Sequence, residues 1–102
     1  MKEKPWLKLR RKFQEIYYYK TINNLEVDFL IKSGKNDLLL IQVADNLDNE
    51  KTRSRELNAL VKAMDELKLK TALILTEDTE EEIALEGKVV MVKPIYKWLL
   101  GL

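Results

Sequence analysis

The 102-residue sequence contains no cysteine and no histidine. The first absence excludes disulfides, thiolate nucleophiles and cysteine-type zinc sites. The second removes the commonest general base, Ser-His-Asp chemistry and most transition-metal sites. Catalysis is left to Asp, Glu, Lys, Tyr or a hard metal ion held by oxygens. Glycine is scarce and scattered, at Gly34, Gly87 and Gly101. No phosphate-cradling Gly-x-x-x-x-Gly-Lys-Ser/Thr loop is present, so ATP binding by that route is excluded. The longest apolar runs, around Leu38–Ile41 and Thr71–Leu75, fall far short of the roughly 20 residues that a membrane helix needs. The start, Met-Lys-Glu-Lys-Pro-Trp, lacks the apolar stretch of a signal peptide. No membrane role and a cytoplasmic location are therefore expected.

What is present is enough for one core. Hydrophobic residues make up 46% and charged residues 34% of the chain, which predicts a single domain over 1–102. The formal charge of +1 hides an uneven distribution. Met1 to Lys20 holds seven basic residues (Lys2, Lys4, Lys8, Arg10, Arg11, Lys12 and Lys20) against Glu3 and Glu15, a net of +5. Glu77 to Glu86 holds six acids and no base. The basic end suits a phosphate backbone and the acidic one repels it, although charge runs are more often simply solvated faces.

Pro5 suits the first turn of a helix, and Trp6, Leu9 and Phe13 follow at helical spacing, which predicts a short helix over Pro5–Gln14. Ile16–Lys20, rich in aromatic and branched residues, reads as a strand. Asn23-Asn24 marks a turn into a second strand over Glu26–Lys32, with Val27, Phe29 and Ile31 on one face and Glu26, Asp28, Leu30 and Lys32 on the other. Leu38–Ala44 is nearly continuous in apolar residues, the mark of a central strand covered on both faces. A helix is predicted over Glu50–Leu67, with Leu57, Leu60, Val61, Met64 and Leu67 as its stripe. A buried strand over Lys70–Thr76 is expected to return parallel to Leu38–Ala44. The acidic stretch suggests a loop with a helical turn near Glu80–Leu85. A last strand, Lys88–Lys93, precedes a short helix opened by Pro94. The fold class is α/β: a single domain with a mixed sheet of about five strands, in the order α-β-β-β-α-β, then an acidic loop and a final strand and helix. Leu39, Ile41, Val43, Leu57, Leu60, Val61, Leu73, Ile74 and Val90 are the expected core.

Two polar residues interrupt apolar strands. Asp28 lies within Glu26-Val27-Asp28-Phe29-Leu30-Ile31, and Gln42 within Leu40-Ile41-Gln42-Val43-Ala44. If these strands adjoin, the two side chains meet at one end of the sheet. An unpaired carboxylate is costly to bury, so Asp28 requires a cation, donors or water. The plainer expectation is an edge position, with Asp28 paired to Lys20, Lys32 or solvent.

The same stretches carry a resemblance. Tyr17-Tyr18-Tyr19-Lys20-Thr21, Glu26-Val27-Asp28-Phe29-Leu30-Ile31 and Leu40-Ile41-Gln42-Val43 match in order, followed by Thr52 with Arg55-Glu56-Leu57 and Ala59-Leu60. The closing Pro94-Ile95-Tyr96-Lys97-Trp98-Leu99-Leu100 fits as well. Together they resemble the PD-(D/E)XK, restriction-endonuclease-like fold, and more closely the nuclease-like domain found at the C-terminus of many archaeal and bacterial AAA+-type ATPases. That resemblance implies an α-β-β-β-α-β core extended by a C-terminal strand and helix. It also implies Mg²⁺ held by an Asp on the second strand and an acid on the third, with a Lys two residues further on. Carried onto this chain, the Asp is Asp28, the acid falls on Gln42 and the Lys on Ala44. Glu15 is the nearest candidate for the superfamily's first-helix acid, and Glu56 is a candidate to complete the site from the long helix.

One acid is thus kept, one is replaced by an amide and the Lys is lost. The expectation is a nuclease-like domain whose metal site at Asp28 and Gln42 is degenerate and binds Mg²⁺ weakly if at all. Such a domain serves as a nucleic-acid- or partner-binding module associated with an ATPase, as part or relic of a larger protein. Lys8, Arg10, Arg11 and Lys12 are the candidate contacts to DNA. Two alternatives stand beside it. One is an active Mg²⁺-dependent nuclease using Asp28, Gln42 and Glu56, with Lys32 or Lys51 in the lysine's role. The other is a protein–protein adaptor anchored by Tyr17–Tyr19, Trp6 or Trp98.

Overall fold

Six strands form one mixed sheet in the computed structural model, which describes residues 15–33, 37–45 and 47–100. The strands are β1 (Glu15–Lys20), β2 (Glu26–Ser33), β3 (Asp37–Val43), β4 (Thr71–Thr76), β5 (Glu81–Leu85) and β6 (Lys88–Pro94). Helix α1 (Glu50–Leu67) connects β3 to β4, and α2 (Ile95–Leu100) follows β6. The spatial order is β1-β2-β3-β4-β6-β5. β1, β2 and β3 run antiparallel to one another, β3 and β4 and then β4 and β6 are parallel, and β5 returns antiparallel on β6. This is a small α/β domain with a mixed sheet. The helix expected over Pro5–Gln14 lies outside the described residues. Among the described residues no helix is long and apolar enough to cross a membrane.

α1 starts where the sequence places it, because Asn49 caps it: its Oδ1 accepts from the backbone N–H groups of Lys51 (2.9 Å) and Thr52 (3.2 Å). It ends at Lys68, which takes a left-handed conformation at φ 59°, with the Leu69 N–H returning to the Met64 carbonyl at 2.8 Å. The helix lays Ala59, Leu60, Ala63 and Met64 on the sheet, one stripe at i, i+1, i+4 and i+5. There they meet Val27, Leu40, Ala72, Ile74, Ile83, Val90 and Val92. The opposite face of the sheet buries Ile31, Ile41, Leu73 and Leu75 beneath Ile95 and Trp98 of α2. The central strands are therefore covered on both sides, as their unbroken apolar runs require: Leu40 and Ile41 are adjacent, face opposite ways and are both fully buried.

Three expectations are corrected. The stretch Glu80–Leu85 is not a helical turn: β5 is a sixth strand, turned back onto β6 by the two-residue loop Glu86-Gly87, both at positive φ. Ile83 and Leu85 alternate into the α1 core, and the acids that would repel are taken up elsewhere. Arg53 of α1 donates to both carboxylate oxygens of Glu81, and Lys97 of α2 donates to Glu80 at 2.8 Å. Second, Val43 is 36% exposed, because it lies past the last β2–β3 rung, Phe29–Ile41. Leu39, Leu57 and Val61 are only partly buried, while Leu40, Met64 and Val92 are fully so. Third, Val27 does not share a face with Phe29 and Ile31. Tyr17 pairs with Leu30 but Tyr19 with Val27, so Tyr18 alone spans Asp28 and Phe29. This is a β-bulge, and it turns Val27 to the α1 side while Phe29 stays on the other.

Candidate functional site

The bulge shapes the site. Ladder pairing between β2 and β3 stops at Phe29–Ile41, and the next residues on each strand are Asp28 and Gln42. Because Leu40 faces α1, so does Gln42, two residues on. On α1, Glu56 stands one turn before Ala59 and Leu60 and so faces the same region. The result is a cleft of about 310 Å³ lined by Asn24, Leu25, Glu26, Asp28, Gln42, Arg55, Glu56 and Ala59. Asp28, Gln42 and Glu56, the three catalytic candidates of the sequence, share it. Ala44 does not line it; its side chain packs into the α1 core. Neither Lys32 nor Lys51 lines it, so neither stands in for the missing lysine. Glu15 begins β1 rather than occupying a helix.

The hydrogen bonds in the cleft run between side chain and backbone. The Asp28 N–H donates to Gln42 Oε1 at 2.7 Å, and Gln42 Nε2 donates to the Glu26 carbonyl at 3.1 Å. In return, the Val43 N–H donates to Asp28 Oδ2 at 2.8 Å. Asp28 is thus held by a backbone donor, not by the lysine partners expected for an edge position. Gln42 is 3% exposed with both ends of its amide satisfied.

The electrostatics are acidic: Glu26, Asp28 and Glu56 line the cleft against Arg55 alone. Burial pushes the Glu56 carboxyl up, the charge of Asp28 pushes it further, and Arg55, with Nε 3.5 Å from Oε1, only partly offsets them. The Tyr18 hydroxyl is pushed up to about 12, first by its hydrogen bond to Glu26. Glu26 lines the cleft although the sequence did not single it out, because there it read only as a polar position of an alternating strand.

The raised carboxyl of Glu56 has a consequence for stability. A carboxyl whose folded pKa exceeds its unfolded value, about 4.3, disfavours the native state wherever it is ionised. The penalty is present at neutral pH and disappears as both states protonate. Glu56→Gln is expected to raise stability at pH 7, with a gain that shrinks toward pH 4. Urea unfolding of both proteins at the two pH values checks this. A variant less stable than the parent at pH 7 contradicts it.

The donor set does not fit Mg²⁺. A hard ion requires several free anionic or carbonyl oxygens in octahedral array. Here one oxygen of Asp28 is engaged by Val43, the Gln42 oxygen by Asp28, and the Glu56 carboxyl, its pKa raised by burial and by the charge of Asp28, lies against Arg55. Among the described residues no three acidic side chains converge to hold a metal ion.

The other candidates divide. Lys8, Arg10, Arg11, Lys12 and Trp6 lie outside the described residues. Tyr17 and Tyr18 are exposed, whereas Tyr19 packs on the α1 core and donates its hydroxyl to Glu66 at 2.6 Å. Glu66 also accepts from the Ile22 N–H at 2.8 Å, so Tyr19 ties the β1–β2 turn to α1 rather than serving as a free anchor. Trp98 packs on the second core. The described residues carry sixteen acidic and eleven basic side chains, a net of −5.

A family model described as a domain of unknown function (DUF4143) matches residues 6–98. No curated protein matches the chain.

Proposed function

The chain belongs to the DUF4143 family, and from that premise we propose that it is a nuclease-like module that has given up hydrolysis and works by binding nucleic acid alongside an ATPase. The single observation that carries this reading is the state of the cleft residues. At the positions that resemble the superfamily's metal-holding pair, Gln42 is engaged by backbone groups at both ends and Asp28 at one of its two carboxylate oxygens. The third strand offers an amide in place of charge, and Ala44 in place of a lysine can neither donate nor orient a water. The nuclease-like fold and the ATPase association rest on the resemblance of the strand and helix segments.

Binding is assigned to Lys8, Arg10, Arg11 and Lys12. The charge asymmetry supports this: the described residues sum to −5, so attraction to phosphate rests on the basic segment before β1. Such contacts act on the backbone without reading sequence. Replacing the four by Gln is expected to weaken duplex DNA binding at low salt and to flatten the log K against log salt slope by up to about 3.6, four phosphate contacts at roughly 0.9 each. Anisotropy titrations over a salt series measure it. An unchanged slope, or no binding by the parent chain, removes the nucleic-acid assignment and leaves the adaptor role.

The rearranged nuclease has one observation in its favour, that Asp28 and Glu56 line one cleft. The donor chemistry described above weighs against it.

A further inference from the structure

We propose that Gln42 and Asp28 form a clasp that replaces the missing rungs of the β2–β3 ladder, and that the clasp requires an amide rather than an acid at position 42. Past Phe29–Ile41 the strands no longer pair, yet the backbone groups of Glu26, Asp28 and Val43 still need partners in a partly buried setting. Three side-chain bonds supply them, at 2.7, 3.1 and 2.8 Å. Two of the three use Gln42 as acceptor and donor together. The donor end faces a carbonyl and the acceptor end an N–H, so the amide has one satisfying orientation.

An ionised carboxylate at the same place accepts from the Asp28 N–H as the amide does. Its second oxygen, however, meets the Glu26 carbonyl oxygen, acceptor against acceptor, at a position only 3% exposed. A protonated carboxyl recovers the donor and restores the pattern. The charged groups that line the cleft at this position are Glu26 and Asp28 from β2 and Glu56 and Arg55 from α1. Three carboxylates against one guanidinium, together with burial, favour the neutral form. The loss of the superfamily's acid is therefore more than a loss: the amide has become part of the fold, and restoring Glu opens the clasp before it offers a metal ligand. This deepens the non-hydrolytic reading of the cleft. Its test reads folding rather than cleavage or DNA binding, so the two can fail separately.

The experiment compares the parent chain, Gln42→Glu and Gln42→Met by urea unfolding at pH 7 and pH 4, with amide exchange at Asp28 and Val43. Gln42→Met is close in volume but can neither donate nor accept as the amide does. At pH 7, Gln42→Glu is expected to raise the unfolding constant roughly 5- to 150-fold over the parent, the range for a buried polar group left unmet, with faster exchange at both amides. The introduced carboxyl has a folded pKa above its unfolded value, so its penalty applies above that pKa and fades as pH falls toward about 4. The deficit of Gln42→Glu against the parent therefore narrows at pH 4, while that of Gln42→Met stays constant. If Gln42→Glu is unfolded at pH 7, recovery of native structure on acidification is the expected result. Equal deficits for Gln42→Glu at both pH values, or a Gln42→Met variant as stable and as protected as the parent, would overturn the proposal.

Discussion

Leu60→Ala is expected to lower the stability of the fold by about 2–5 kcal/mol. Leu60 is fully buried at the middle of α1, inside the cluster that includes Val27, Leu40, Ile74 and Val92. Those neighbours come from four strands that the helix spans, so the space left by the missing methyl groups is bounded by rigid elements and closes only in part. Asn58, exposed two residues earlier, supplies the control: Asn58→Ala should fall within about 0.5 kcal/mol of the parent. Urea unfolding measures both. A Leu60→Ala loss under about 0.5 kcal/mol would mean that α1 is rotated away from the sheet. Glu56 lies one helical turn from Leu60, so that result would also remove Glu56 from the cleft.

Much of this arrangement was legible because single physical causes dominate it. The apolar stripe Leu57, Leu60, Val61, Met64 and Leu67 at helical spacing predicted α1 over Glu50–Leu67, the bounds it has. The runs Leu38–Ile41 and Thr71–Leu75 marked β3 and β4 as buried on both faces, and the β3–helix–β4 order implied their parallel pairing. Asp28 and Gln42 stood out as polar residues within apolar strands, and Glu56, on the long helix, was a candidate through the resemblance. The misses also have particular causes. An extra residue in a strand is invisible to alternation, and Val27, Phe29 and Ile31 alternate in sequence while the bulge sends Val27 to the other face. β5 was hidden by its acids, whose partners Arg53 and Lys97 lie 28 and 17 residues away. The clasp was hidden for a similar reason, since it joins side chains to backbone groups 14 to 16 residues distant.

The second large effect concerns hydrolysis. Phosphodiester cleavage requires an activated water and neutralisation of charge on the phosphate, commonly supplied by metal ions. The cleft brings together Asp28, Gln42 and Glu56, but not as a metal cage. One oxygen of Asp28 is engaged by Val43, Gln42 is engaged at both ends, and Glu56, its pKa raised by burial and by the charge of Asp28, is paired with Arg55. Mg²⁺ gives up its waters reluctantly, and one carboxylate with an occupied oxygen offers little in exchange. No metal-dependent cleavage is therefore expected. The variant that isolates the site is Asp28→Asn, because its amide oxygen can still accept from the Val43 N–H while the charge is gone. Loss of activity in it is then not a folding effect, and cleavage equal in parent and variant arises elsewhere than this cleft.

The most direct test is a cleavage assay on plasmid and branched DNA across Mg²⁺ and Mn²⁺ concentrations, run in parallel on the parent chain and Asp28→Asn. No metal-dependent product is expected from either. Metal-dependent cleavage by the parent that disappears in Asp28→Asn would contradict it and establish the cleft as a nuclease site.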